Sequence, residues 1–233
     1  WLFTGCVMDA WFRETHRNTA ALLDALHVGY SVPGAGGACC GALHVHAGLR
    51  DEAHAMAVDV MASMPGDAPV LVNSAGCGAA LKDYGELLDT DAARRFSARV
   101  LDVHEYLAGR LGDLPLRPTG ETPIIVQDPC HLRHVQRAHE PVRDVVARVG
   151  QVVELDDDGL CCGAGGAYSA LEPELAGRIR ARKMEAIDRA VDRSGASLIV
   201  SANPGCSMHL RRELDDRGLR VRHPIDLLAD ALT

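Results

Sequence analysis

Eight cysteines carry most of the chemistry this sequence can offer. Cys6, Cys39, Cys40 and Cys77 in the first half are answered by Cys130, Cys161, Cys162 and Cys206 in the second. Each half reads as one cysteine, a gap of about thirty residues, a Cys-Cys-Gly doublet, a longer gap and a final cysteine. The neighbours repeat as well. Cys39-Cys40-Gly41-Ala42 matches Cys161-Cys162-Gly163-Ala164, and Ser74-Ala75-Gly76-Cys77 matches Asn203-Pro204-Gly205-Cys206. Such self-similarity marks a duplicated unit.

Thiolate sulfur is a soft ligand that selects zinc, copper(I) or iron–sulfur centres. Four thiolates per half match the donor count of a 4Fe-4S cluster and equally of a structural zinc. The doublet separates the two. Structural zinc sites space a cysteine pair by two to four residues so that both sulfurs reach one ion. Adjacent cysteines project in different directions and more easily reach two irons of one multi-iron centre. Gly41 and Gly163 permit positive φ and a close approach of backbone. The segments Gly76-Cys77-Gly78 and Gly163-Ala164-Gly165-Gly166 read as glycine turns that leave amides free to donate to sulfur, which tunes a potential. Zinc and redox-active vicinal disulfides stay open as alternatives. Burial of the cysteines as small hydrophobes explains two matched sets poorly.

The elements that must position these residues alternate between short apolar strands and amphipathic helices. Thr15 to His27 carries Ala20, Leu22, Leu23 and Leu26 at helical spacing and stops at Gly29. Asp51 to Met64 is a second expected helix, Val70–Val72 a buried strand, and a further helix begins at Ala79 after a glycine turn. In the second half Val142 to Val149 and Glu172 to Val191 read as helices, and Leu198–Val200 as the matching strand. Leu2 to Thr4 and Ile124 to Val126 precede the first cysteine of each set as strand-like runs. The expectation is an α/β fold of two duplicated strand–helix domains with mainly parallel sheets, related by pseudo-symmetry. The domains are residues 1–113 and 123–233, joined by a linker over 114–122 where Pro115, Pro118 and Gly120 cluster. The cysteines then gather at one edge of each parallel sheet, where sites usually form.

Bulk properties narrow the function. The 233 residues are 47% hydrophobic and 24% charged, ample for a core. A formal charge of −8 and 4% aromatics argue against a nucleic-acid surface, which needs clustered Lys and Arg. No apolar run approaches the ~20 residues of a transmembrane helix. No signal peptide precedes Trp1, which opens a strand entered midway and suggests a fragment or a processed chain. Cysteine is too sparse for a disulfide scaffold, which points to an intracellular metal or redox protein. There is no Gly-x-Gly-x-x-Gly after a strand, no phosphate loop and no flavin signature.

The motifs resemble the cysteine-rich (CCG) domain found in tandem in heterodisulfide reductase and in lactate- and glycolate-oxidising complexes. More closely, the chain resembles the C-terminal portion of the iron–sulfur subunit of glycolate oxidase. The carrying stretches are Cys39 to Gly48, Asn73 to Gly78, Asp128 to His134 and Asn203 to Cys206. The resemblance implies iron–sulfur clusters of the 4Fe-4S type, up to two, with Cys6, Cys39, Cys40 and Cys77 holding one and Cys130, Cys161, Cys162 and Cys206 the other. It implies an electron-transfer role beside a flavin-containing subunit that oxidises glycolate or a related 2-hydroxy acid. Electrons would pass towards a quinone or another membrane acceptor, with the chain in the cytoplasm or held at the inner membrane face by partners. Two departures matter. The family motif ends in Cys-x-x-Cys, but Ser74 and Asn203 stand at the earlier position of each pair. Four thiolates per half therefore replace the five of the heterodisulfide reductase clusters, which weakens any disulfide-reducing role. The ferredoxin-like Cys-x-x-Cys-x-x-Cys repeats of the glycolate oxidase subunit are also absent. A zinc-binding structural module and a thiol/disulfide oxidoreductase remain the alternatives.

Other residues surround the motifs. His44, His46, His131, His134 and His209 are expected to donate hydrogen bonds or cap helices rather than ligate metal. Arg133 either offsets cluster charge or faces solvent. Asp128 fixes the turn before Cys130, Asn73 and Asn203 hold glycine turns, and Asp156-Asp157-Asp158 reads as a solvated loop. The arginines of Glu172 to Val191 read as a solvated outer face.

Overall fold

A computed structural model describes residues 1–117 and 120–233. The linker expected over 114–122 includes Pro118 and Thr119, which lie outside the described residues. Among the described residues seven strands form two sheets. The first contains β1 (Leu2–Phe3), β2 (Val70–Val72) and β3 (Val100–Asp102) in the order β1-β2-β3. The second contains β4 (Pro123–Val126), β5 (Gln151–Glu154), β6 (Leu198–Val200) and β7 (Arg220–Arg222) in the order β5-β4-β6-β7. Every pairing between them is parallel. The central strands are short and apolar, as parallel strands covered by helices must be; all of β2 is buried.

Strands β1, β2 and β3 answer β4, β6 and β7, as the duplication requires. The counterpart of β5 is reduced to one bond, from the Leu2 N–H to the Ser31 carbonyl at 2.9 Å. Pro33 follows two residues later and has no N–H to continue a ladder.

The four longest expected helices are present as Arg13–Ala25, Arg50–Ser63, Glu140–Ala147 and Pro173–Ser194, with ends displaced by a few residues. The glycine turns after β2 and β6 are not turns. Cys77 lies inside helix Ala75–Lys82, and Cys206 inside helix Pro204–Asp215. Glycine in a helix costs about 1 kcal/mol relative to alanine, but here it admits a neighbour. A Cβ on Gly78 would lie 2.7 Å from Gln136 Nε2. Residues His131–Gln136, which follow Cys130, form a wide π-helical turn that nothing in the sequence announces.

The two halves are interlocked. The Ala75 N–H donates to the Ala202 carbonyl at 3.0 Å and Gln136 Nε2 to the Ala75 carbonyl at 2.8 Å. Thr15 and Asn18 donate to the Asp226 carboxylate. One core cluster joins Leu22, Val103 and Leu107 to Val145, Ile225 and Leu228.

A polar seam also runs through this junction. His16 binds the Thr4 carbonyl at 2.8 Å and Asn73 at 3.1 Å. His223 Nε2 donates to the Asn73 carbonyl at 3.0 Å, while its Nδ1 accepts the Ile225 N–H at 3.3 Å. His104 stacks on it and donates Nδ1–H to Asp102 at 2.6 Å. Burial, then the neighbouring His104, holds His223 well below the ordinary 6.5. The unfolded chain therefore binds a proton at His223 that the folded chain refuses, so this contribution to stability is full above pH 6.5 and declines as pH falls below it. A His223→Gln variant, able to keep the bond to Asn73, is expected to lose less melting temperature than the wild type between pH 7 and pH 5. Parallel melting profiles for the two proteins would refute this assignment.

Candidate metal centre

All eight cysteines are free. They line one cleft of about 490 Å³ formed where the halves meet. The strand ends deliver them there. Cys6 and Cys130 follow β1 and β4, Cys77 and Cys206 enter on the helices after β2 and β6, and the doublets sit on the connections between. The cleft thus lies off the carboxyl ends of the parallel strands.

Within each half the thiols perturb one another in a row: Cys6 acts on Cys39, Cys39 on Cys40 and Cys40 on Cys77. Cys130, Cys161, Cys162 and Cys206 repeat that order. Donors and acceptors alternate along it. Hydrogen bonds from Cys40 and Cys6 bring Cys39 down to about 2, and those from Cys130 and Cys162 bring Cys161 down to about 2. The same bonds, followed by burial, push Cys6, Cys40, Cys130 and Cys162 up. Cys77 and Cys206 are lowered by their bonds from Cys40 and Cys162. Raised and lowered thiols therefore alternate within each set, and binding of a cation would displace the protons that remain.

The Cys-Cys-Gly-Ala motif has a geometric basis. At φ 91, Gly163 turns its N–H onto Cys161 Sγ at 3.3 Å, and the Ala164 N–H serves Cys162. Gly41, at φ 75, and Ala42 do the same for Cys39 and Cys40. Gly163 has no room for a side chain, since a Cβ would meet the Ala176 carbonyl at 2.5 Å.

The rows do not close on a point. Among the described residues no group of three or more His, Cys, Asp or Glu is placed to hold one metal ion. A tetrahedral zinc needs four ligand atoms within about 2.3 Å of a shared centre. Four soft thiol donors per half match the donor set of a polynuclear iron–sulfur group.

The surrounding residues divide. His46, His131 and His209 line the cleft, whereas His44 and His134 do not. His131 Nδ1 lies 3.5 Å from Cys130 Sγ, and its ring is 6.0 Å from that of His46 across the junction. His134 binds the Gly159 carbonyl at 3.2 Å, in the hydrogen-bonding role expected of it. Arg133 neither faces the cleft nor stands free; it bonds to Asp128 and Asp158, both at 3.0 Å. Asp128 is buried between Arg133 and Arg143, so it anchors the segment before Cys130 through two guanidinium groups. The acidic run is not simply solvated. Asp156 pairs with Arg189 and Arg193, Asp157 with the buried Lys183 at 2.5 Å, and Asp158 with Arg133. The same pairs correct the expectation of a purely solvated face on helix Pro173–Ser194. Lys183 carried no signal beyond its place in a helical pattern.

Two parallel α/β units that present eight matched thiols to a shared cleft define a tandem cysteine-rich protein. The cysteine-rich domain model, CCG, matches residues 1–82 and 124–211, and the chain belongs to that family. It is 32% identical to the glycolate oxidase iron-sulfur subunit of Escherichia coli, over 99% of this chain and 57% of that protein. It is 34% identical to a probable glycolate oxidase iron-sulfur subunit of Bacillus subtilis, over 98% of this chain and 54% of that protein. It is also 28% identical to one of the subunits of the fumarate reductase (CoM/CoB) of Methanothermobacter marburgensis, over 97% of this chain and 45% of that protein. The chain therefore spans about half the length of these relatives. Among the described residues no helix is long and apolar enough to cross a membrane.

Proposed function

We propose that the chain carries two iron–sulfur centres and relays electrons within a complex that oxidises a 2-hydroxy acid such as glycolate. The observation that carries this reading is the pair of equivalent thiol rows in one cleft. Cys6, Cys39, Cys40 and Cys77 hold one centre, and Cys130, Cys161, Cys162 and Cys206 the other. They belong to duplicated domains at 1–113 and 123–233 joined through 114–122. When bound, the clusters supply one-electron chemistry. The chain's own residues ligate them, exclude water at Cys40, Cys162 and Cys206, and direct backbone N–H groups at the sulfurs. Donation of this kind favours the reduced state. The names of the relatives support glycolate as the substrate class. A flavin-bearing partner would oxidise it, and a quinone or other membrane acceptor would receive the electrons, with the chain on the cytoplasmic side.

Protein purified without oxygen is expected to contain about eight irons and eight sulfides per chain, with broad blue absorption. A colourless protein with two tightly held zinc ions and no iron overturns the proposal.

A further inference from the structure

We propose that Ser74 and Asn203 form a hydrogen-bonded bridge through which the redox state of the first thiol set is felt by the last cysteine of the second. This rests on the reading of both sets as redox centres. The two residues stand where the Cys-x-x-Cys pattern would place further thiols, three residues before Cys77 and Cys206. Each is extended and immediately precedes a helix. Serine and asparagine commonly cap such helices, yet neither side chain caps its own.

Asn203 reaches into the other half instead. Its Oδ1 accepts the Gly76 N–H at 3.1 Å and the Ser74 hydroxyl at 3.3 Å. Its Nδ2 donates to Cys206 Sγ at 3.4 Å. One planar amide therefore links the helix that carries Cys77 to the sulfur of Cys206. Glycine at 205 leaves room for the amide, since a Cβ there would lie 3.3 Å from Nδ2, tighter than an ordinary contact.

Ser74 makes the bridge responsive. Its hydroxyl also helps to lower Cys77, behind the larger influence of Cys40 and against burial. A hydroxyl has one proton to donate, so Asn203 and Cys77 compete for it. Added electron density on the first set draws that proton to the Cys77 sulfur. Asn203 Oδ1 then loses a donor, its amide is less polarised, and Nδ2–H becomes a weaker donor to Cys206. Reduction of the first centre thereby makes the second harder to reduce.

The test is an EPR-monitored redox titration of the anaerobically purified protein. Ser74→Ala removes a hydroxyl that touches no residue of the second set, so any effect there passes through Asn203. The expected result is a second centre about threefold less reduced at a fixed solution potential, or ~28 mV at 59 mV per tenfold for one electron. Ser74→Thr, which keeps the hydroxyl, restores the wild-type value, and in an Asn203→Ala background Ser74→Ala no longer moves it. A second-centre midpoint unchanged by Ser74→Ala while the first centre moves overturns the bridge alone. Wild-type protein without iron overturns the redox reading and the bridge with it.

Discussion

Replacing Cys162 by serine is expected to remove about half of the iron and sulfide from the anaerobically purified chain and to leave the first centre's EPR signal in place. Cys162 is 2% exposed and stands between Cys161 and Cys206 in the second row. Serine nearly conserves its volume, so the core cluster around Ile125, Met184 and Leu210 keeps its packing. The hydroxyl, however, is a hard donor with little affinity for an iron–sulfide group. Cys40→Ser should produce the reciprocal loss, because Cys40 holds the same position in the first row and is also buried. The pair of variants decides a point that the shared cleft raises. Two independent centres predict complementary half losses, whereas one group spanning both rows predicts complete loss from either change. Total loss of iron in both variants, with melting temperature retained, would count against two centres. The first centre should also be the more easily damaged by oxygen, since Cys6 is exposed and its counterpart Cys130 is partly covered.

Much of this arrangement was legible in the sequence because a duplicated pattern constrains the reading twice. The doublets at Cys39-Cys40 and Cys161-Cys162, the strands β2 and β6 and the helix-spaced runs around Leu22 and Met184 depend on local chemistry and hydrophobic period. Less local features were not visible. Gly76-Cys77-Gly78 reads as a turn because glycine is a poor helix former, yet the space it leaves is taken by Gln136 from the other half. Asn73 and Asn203 carry turn-like signatures, but their side chains serve contacts made across the junction or between distant segments. The polar seam of His16, His104 and His223 comes from three distant segments, and no spacing rule joins them. Strand β3 and its Asp102–Glu105 capping box did have a signal, an acidic N-cap followed three residues later by glutamate. The acidic run misled for a different reason. Its charge suggested solvent, while its partners Lys183, Arg189 and Arg193 lie some thirty residues away in sequence.

Lys183 is expected to have a large effect on stability. Its side chain is 0% exposed and ends on Asp157, itself 7% exposed, at 2.5 Å. Lys183→Met keeps most of the apolar stem but leaves the Asp157 carboxylate buried with, among the described residues, the Gly159 N–H at 3.1 Å to satisfy it. Breaking one side of a buried pair costs about 3–5 kcal/mol, a large part of a typical domain's stability. Asp157→Leu should cost a similar amount by stranding the ammonium. Replacing both together removes the uncompensated charge, so the double variant is expected to recover most of the loss, a strongly non-additive cycle. Urea unfolding of the four proteins measures this directly. Single-variant losses below about 1 kcal/mol would place the pair with ordinary surface bridges and refute its role. The pair also reaches the site. Lys183 contributes to the lowering of both Cys161 and Cys206, after their bonds to neighbouring thiols. Lys183→Met should therefore weaken the second centre's hold on iron selectively, since the helix Pro173–Ser194 that carries it packs against the second set.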